Sequence, residues 1–455
     1  MPTAYTILFL LLILVAAATW IIPAGSYDYV DGVPVAGTYH TVEQNPQGVG
    51  DVLKAAFSGF YDAVDVCIFI LMVGGFLGVV MKTGAVDAGV ANIIRLLGGR
   101  EKWLIPILML LFGLGGTTYG MWEETMAFYP LLIPVFLAAG YDAVVGISVI
   151  LLGAGAGVIA STVNPFATGI AAGFAGVSLG EGIVLRLLEW VAFEAAAIWF
   201  VMAYAAKVKK NPSKSVVGVG AGKIQVSMDQ QVPFTAKRKV IMALFTLTFL
   251  IMVYAVVPFD EMGLPLPTLG WWFPELSALF LVAGVVIGLI DRMSEEELVE
   301  IYVVGCADLL GVAFIIGISR GITVLMNDGS ITDTVLHWGE QALSGAGAIS
   351  FTLLVFALYL PLTILIPSSS GLATLSIPIV APLGKFAGVG GDLVVTAFQS
   401  ASGLVNIITP TAAVLMGALA LGHVPYDRWV KYVWKLMLWF LLLALAFLVA
   451  GVLLG

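Results

Sequence analysis

The chain has 455 residues, 60% of them hydrophobic and only 11% charged, with a formal net charge of −9 and a mean hydropathy of +1.05. Soluble domains carry roughly a quarter charged residues, so this composition excludes a water-soluble globule; the continuous, non-alternating apolar runs exclude a β-barrel. No basic stripe, zinc spacing or phosphate loop is present, so neither nucleic acid nor nucleotide is expected as a partner.

What remains is an all-α polytopic membrane protein. Runs long enough to cross a bilayer cover Tyr5–Ile22, Val64–Met81, Val144–Ser161, Ile183–Ala206, Val240–Pro258, Ser277–Ile290, Ala307–Leu325, Leu393–Leu421 and Trp429–Leu453, about nine spans. No basic residue and no small-x-small cleavage site accompany the first run, which is expected to be a retained span. Cys67 and Cys306 fall in apolar spans, so no disulfide framework is expected. His40, His337 and His423 are too scattered for a metal site.

Two further segments read differently. Trp103–Gly116 and Thr125–Ala139 hold 14 and 15 residues, which make only about 21–23 Å of helix against a hydrocarbon core of roughly 30 Å. Glycines, Glu123 and Glu124 lie between them, so residues 103–139 predict a re-entrant hairpin with a polar tip. Residues 349–387 predict a second, with its tip at "IPSSSG" (Ile366–Gly371), although its first arm, Ile349–Leu365, also reads as a full span. With both hairpins and a cytoplasmic N-terminus, all basic residues except Lys54, Arg186, Arg320 and Lys385 fall on the cytoplasmic side, as the positive-inside rule asks. Residues 207–239 are polar and lack an apolar period. They read as a cytoplasmic linker between halves 1–206 and 240–455.

The halves share anchors at one spacing. "MKTGAVDAGV" at Met81 matches "MNDGSITDTV" at Met326, Ile133-Pro134 matches Ile377-Pro378, and Pro165 matches Pro410. The expected topology sets the copies in opposite orientation, and inverted repeats with broken helices are typical of secondary transporters.

The breaks fall at "ASTVNPFATG" (Ala160–Gly169), within a broken helix over 144–180, and at "SASGLVNIITPTAA" (Ser400–Ala413), within one over 393–421. Proline removes a donor and clashes with the preceding turn, and backbone freed in this way must find protein or solute partners inside a membrane. Asn164, Thr168, Asn406, Thr409 and Thr411 are therefore candidate substrate ligands. Ser161, Asn164, Ser402 and Asn406 are a candidate ion site. The first tip adds Thr117, Thr118, Tyr119, Trp122, Glu123 and Glu124; the second adds Ser368, Ser369, Ser370 and Gly371. Buried carboxylates need a cation, a proton or donors. No Lys or Arg occurs in either tip or either break, so a solute with one carboxylate and one or two cationic groups fits best: an amino acid, preferably a basic one. Arg320 has three readings, namely snorkelling, pairing with Asp328, or holding a substrate carboxylate, and snorkelling is favoured. Glu189 can pair with Arg186 one turn away. Glu194 has no local partner. No enzyme is expected, because no nucleophile, base or metal cluster gathers in one region.

"GTTYGMWEETMAFYPLLIPVFLAAGYD", "PSSSGLATLSIPIVAPL" and "FQSASGLVNIITPTAAVLMGALA", with "TWIIPAGSYD" and "GTYH" near the N-terminus, closely resemble the YfcC family of C4-dicarboxylate anaerobic carrier-like proteins. The wider group is the ion transporter superfamily. The resemblance implies an inverted repeat with a scaffold domain that often dimerises and a transport domain that slides as an elevator. It implies a small-molecule substrate held by the two tips and two breaks. The broad family name speaks of C4-dicarboxylates, whereas the branch with this acidic motif is regarded as basic amino acid antiporters of arginine/ornithine type. The expectation is an inner-membrane, homodimeric secondary transporter without a cofactor, working by exchange or coupled to Na+ or H+, with the amino acid preferred over the dicarboxylate.

Overall fold

Inside a bilayer every backbone amide and carbonyl must be satisfied within the protein, and a chain this apolar meets that demand by winding into helices. The structure, a computed structural model, describes residues 4–30, 33–86, 88–89, 92, 100–118, 120–178, 180–218, 234–256, 259, 265–271 and 273–454. Among them are seventeen α-helices. In the first half these are α1 (Ala4–Ala18), α2 (Val49–Asp62), α3 (Val64–Lys82), α4 (Leu104–Thr118), α5 (Tyr129–Ala138), α6 (Ala143–Ile159), α7 (Ile170–Ala175) and α8 (Ile183–Lys210). The second half holds α9 (Ala236–Val256), α10 (Phe273–Asp291), α11 (Glu295–Asp328), α12 (Thr332–Leu343), α13 (Ala348–Leu365), α14 (Ser369–Phe386), α15 (Gly391–Asn406), α16 (Ala413–Leu421) and α17 (Tyr426–Leu454). Five of the described helices, α3, α10, α11, α13 and α17, are by length and hydropathy able to cross a membrane.

The helices gather in two groups. Helix α3 packs on α2 and α10, and all three pack on α11, with α1 alongside and α9 against α10. Helices α4, α5 and α8 pack on α6, while α13, α14 and α17 surround α15. Helix α6 joins α15 inside the second group, and α11 reaches across to α16. Four two-residue strands, β1 (Gly25–Ser26) to β4 (His40–Thr41) with β2 (Tyr29–Val30) and β3 (Val33–Pro34) between, form two antiparallel pairs after α1. Asp333 of α12 holds this loop by accepting from the Tyr27 amide at 3.0 Å and the Tyr29 hydroxyl at 2.7 Å.

Three departures from the expected elements have physical causes. Helix α11 begins at Glu295, well before the apolar run at Ala307, because Ser294 caps it by accepting from the Glu297 amide, and Glu295 to Glu297 suit the helix N-terminus. Its 34 residues make about 51 Å of helix, longer than the hydrocarbon core. Helix α2 is amphipathic and was not among the apolar runs; Val52, Ala55, Ala56 and Gly59 form its buried face. The run Leu393–Leu421 is two helices, and the break is narrower than the polar stretch: α15 holds Ser400, Ser402 and Asn406 and ends where the Pro410 ring would meet the residue 406 carbonyl. Of the linker over 207–239, residues 219–233 lie outside the described residues.

Candidate functional site

The segment between α4 and α5 is shaped by one glycine. Gly120 has φ +77°, and a Cβ there would lie 2.6 Å from Cγ and Oδ1 of Asn164. Both the left-handed backbone and the close approach to the first break require glycine. Beyond it, Glu123–Phe128 forms a 3₁₀ turn. The Thr125 hydroxyl donates to the Trp122 carbonyl, and the Trp122 amide donates to the Glu124 carboxylate at 3.2 Å. One Glu124 oxygen is thereby fixed; the side chain is buried, and Glu123 is half-buried beside it. Tyr119 lies outside the described residues.

Thr117 ties this turn to the first break. Its hydroxyl donates to the Ala160 carbonyl at 2.8 Å, while its own carbonyl accepts from the Thr162 amide at 2.8 Å and hydroxyl at 2.9 Å. Thr118 instead bonds back to the Leu114 carbonyl within α4.

Several backbone groups at both breaks find protein partners, as a membrane interior demands. At the first, Gln399 donates to the Val158 carbonyl at 2.8 Å, Arg186 to the Thr162 carbonyl at 3.4 Å, and the Gly169 amide to the Asn164 carbonyl at 2.7 Å across a π-turn. At the second, Trp429 donates to the Ile407 carbonyl, Tyr426 to Ile408, and Ser319 of α11 to Thr411 at 2.6 Å. Thr409 and Thr411 bond to each other through their hydroxyls at 2.9 Å.

These pieces meet around one small cavity of about 150 Å³. Trp122, Glu123 and Glu124 line it from the α4–α5 turn; Asn164 from the first break; Asn406 and Thr411 from the second. Ser368, Ser369 and Ser370 line it from the start of α14. Ser368 caps α14 by accepting from the Gly371 amide, so this helix presents its N-terminal, partly positive end to the cavity. Thr117, Thr118, Thr168, Gly371 and Thr409 do not line it. Nor do the nominated ion ligands Ser161, at the first break, and Ser402, within α15, both of which are buried. A larger cavity of about 1340 Å³ lies between α1, α3, α11 and α16. It is mostly apolar and holds none of the nominated residues.

Of the three readings of Arg320, the pairing with Asp328 is not seen. The Nε of Arg320 lies 3.8 Å from Asp62 at the end of α2, and the arginine side chain lines the small cavity. The expectation that the site holds no basic residue is therefore corrected: the cation arrives from α11, outside the tips and breaks where it was sought. Ser319, Ile316, Phe273, Val66 and Ile70 were missed for the same reason.

Helix α8 carries further buried charge. Glu189 accepts from Ser400 at 2.8 Å and feels the charge of Arg186, which also faces Asp392. Glu194 has neither carboxylate oxygen hydrogen-bonded to a described residue, and it is 2% exposed, facing Gly113 of α4. A buried polar group without partners costs about 1–3 kcal/mol. Glu194→Met is accordingly expected to raise the melting temperature of the detergent-purified protein; a lower one would reveal a partner that the carboxyl needs.

The model of the C4-dicarboxylate anaerobic carrier family, DcuC, matches residues 1–453. An uncharacterized protein of Haemophilus influenzae is 35% identical over 99% of this chain and 97% of its own length. An Escherichia coli protein named "Putative basic amino acid antiporter YfcC" is 31% identical over 95% of this chain and 92% of its own. Among solved structures, the YdaH transporter of Alcanivorax borkumensis aligns over 98% of both chains with 14% identity and a TM-score of 0.46. The match along nearly the whole length, with the relatives' identity, leaves one conclusion: this chain belongs to the C4-dicarboxylate anaerobic carrier (DcuC) family of membrane transporters.

Proposed function

We propose that the protein exchanges basic amino acids of the arginine, ornithine and lysine kind across the cytoplasmic membrane. The observation that carries this reading is the presence of Glu123 and Glu124 in one cavity with the start of α14 and both helix breaks. Two carboxylates face one guanidinium there. A solute with a net positive charge balances the cavity, and a dicarboxylate would add to its excess of negative charge. The name given to the Escherichia coli relative agrees with this choice. The second reading, C4-dicarboxylate transport, draws on the family's name and on Arg320 in the cavity wall.

In the same proposal the chain is an inverted repeat of about nine spans, with re-entrant hairpins α4/α5 and α13/α14. Its N-terminus and linker lie in the cytoplasm. The element order supports this: α3, hairpin, α6, break, α7, α8 in the first half is matched by α11, hairpin, α15, break, α16, α17 in the second, with α12 added between α11 and its hairpin. The α2–α3–α11 group serves as a dimeric scaffold, and the group around α6 and α15 moves as an elevator. Should flux depend on an ion, Ser161, Asn164, Ser402 and Asn406 are its proposed ligands; Ser161 Oγ is buried with no hydrogen-bond partner among the described residues.

Competition in liposomes tests the substrate. Uptake of radiolabelled arginine by arginine-loaded vesicles, without an ion gradient, is expected to be suppressed by ornithine or lysine and untouched by malate. Suppression by malate alone would favour the dicarboxylate reading.

A further inference from the structure

We propose that Arg320 is the carboxylate anchor of the site, so that the carrier accepts α-amino acids and discriminates against the corresponding decarboxylated amines. The inference rests on the reading of a basic amino acid substrate and adds the residue that selects its other end.

The geometry around Arg320 is the basis. Helix α11 is pinned at this level on two sides. Ser319 donates to the Thr411 carbonyl of the second break at 2.6 Å. On the other side the backbones of α2 and α11 touch, since a Cβ at Gly59 would overlap the Gly317 carbonyl and the Gly321 amide. That contact delivers Asp62, near the C-terminal end of α2, to the Nε side of Arg320 at 3.8 Å. Among the described residues this is the only ion pair of Arg320, and its guanidinium makes no hydrogen bond to any of them. The side chain is 23% exposed and lines the cavity. An arginine that lines a cavity and makes no hydrogen bond to the described residues has its terminal nitrogens to offer, and their planar fork matches a carboxylate in two parallel hydrogen bonds.

A different role for the same residue would be counter-ion to the acidic turn. Glu123 feels the Arg320 charge, but the two form no ion pair within 4.0 Å. A guanidinium serving as the resting partner of Glu123 would close onto it, because an unpaired buried charge is expensive. In this proposal the cavity has two poles. Glu123 and Glu124 face the cationic end of the solute, while Arg320 and the N-terminus of α14 face its carboxylate. The two poles come from different elements, so a solute that bridges them is read at both ends.

Binding of arginine and of agmatine, its decarboxylated analogue, to the purified full-length protein tests this by calorimetry. Wild type is expected to bind arginine more tightly than agmatine. Arg320→Gln is expected to weaken arginine on the order of 10–100-fold, the loss of a hydrogen bond to a charged group. It should leave agmatine unchanged or tighten it, since repulsion between two cations is removed. Arg320→Lys keeps the charge without the fork and is expected to fall between the two. Equal weakening of arginine and agmatine, unchanged arginine binding, or tighter arginine binding in Arg320→Gln would each overturn the anchor. Failure of wild type to bind any basic amino acid would instead overturn the substrate reading itself.

Discussion

Glu124→Gln is expected to abolish uptake of a basic amino acid while the protein still folds. Glutamine keeps the shape and the oxygen that accepts from the Trp122 amide, so the turn survives. What disappears is one negative charge facing the cationic end of the solute. Removing one partner of a buried, hydrogen-bonded charge pair costs about 2–5 kcal/mol, roughly thirty-fold to several-thousand-fold in affinity. Glu123→Gln should have the same sign. The check is radiolabelled arginine uptake alongside a melting curve for each variant. Uptake at the wild-type level in Glu124→Gln would remove the carboxylate from the site, whatever the substrate.

The second large effect comes from a position that carries no chemistry. Gly120→Ala places a methyl group against the Asn164 side chain at a left-handed φ of +77°. The backbone strain alone is about 1–3 kcal/mol. The overlap has no easy relief, because Asn164 also accepts from the Ala167 amide within the first break. The expected outcome is a lower melting temperature together with weaker arginine binding, since the turn that carries Glu123 and Glu124 is set by this contact. Binding and melting both equal to wild type would mean that the turn and the break are not mechanically joined.

The sequence made the helices legible because proline and glycine have local consequences. Pro165 and Pro410 marked both breaks, and the glycines before Glu123 marked the first polar turn. The helix ends at Thr118 and Asn406 follow from those residues. The grouping of Glu124, Asn164, Ser370 and Asn406 around one cavity was expected from the family resemblance, which implies a site made of the two tips and two breaks. Arg320 was left among three readings, because its placement depends on a glycine contact between α2 and α11, more than 250 positions apart in the chain. No local pattern reports such a contact. Helix α2 itself was overlooked because its apolar face is too sparse to register as a run. Thr117 and Thr168 were nominated as ligands on residue type and on their place in a tip or break. For Thr117 the hydroxyl serves to bind the turn to the break, a distinction between lining a cavity and building its wall that side-chain chemistry cannot make.

The central claim is that a single solute lies between the acidic turn and the start of α14. A cryo-electron microscopy structure of the protein with saturating arginine tests it most directly. The account predicts solute density bounded by Glu123, Glu124, Asn406 and Ser369, with the guanidinium end towards the glutamates. Density for arginine in the larger apolar cavity beside α1 and α16, with the small cavity closed, would contradict it.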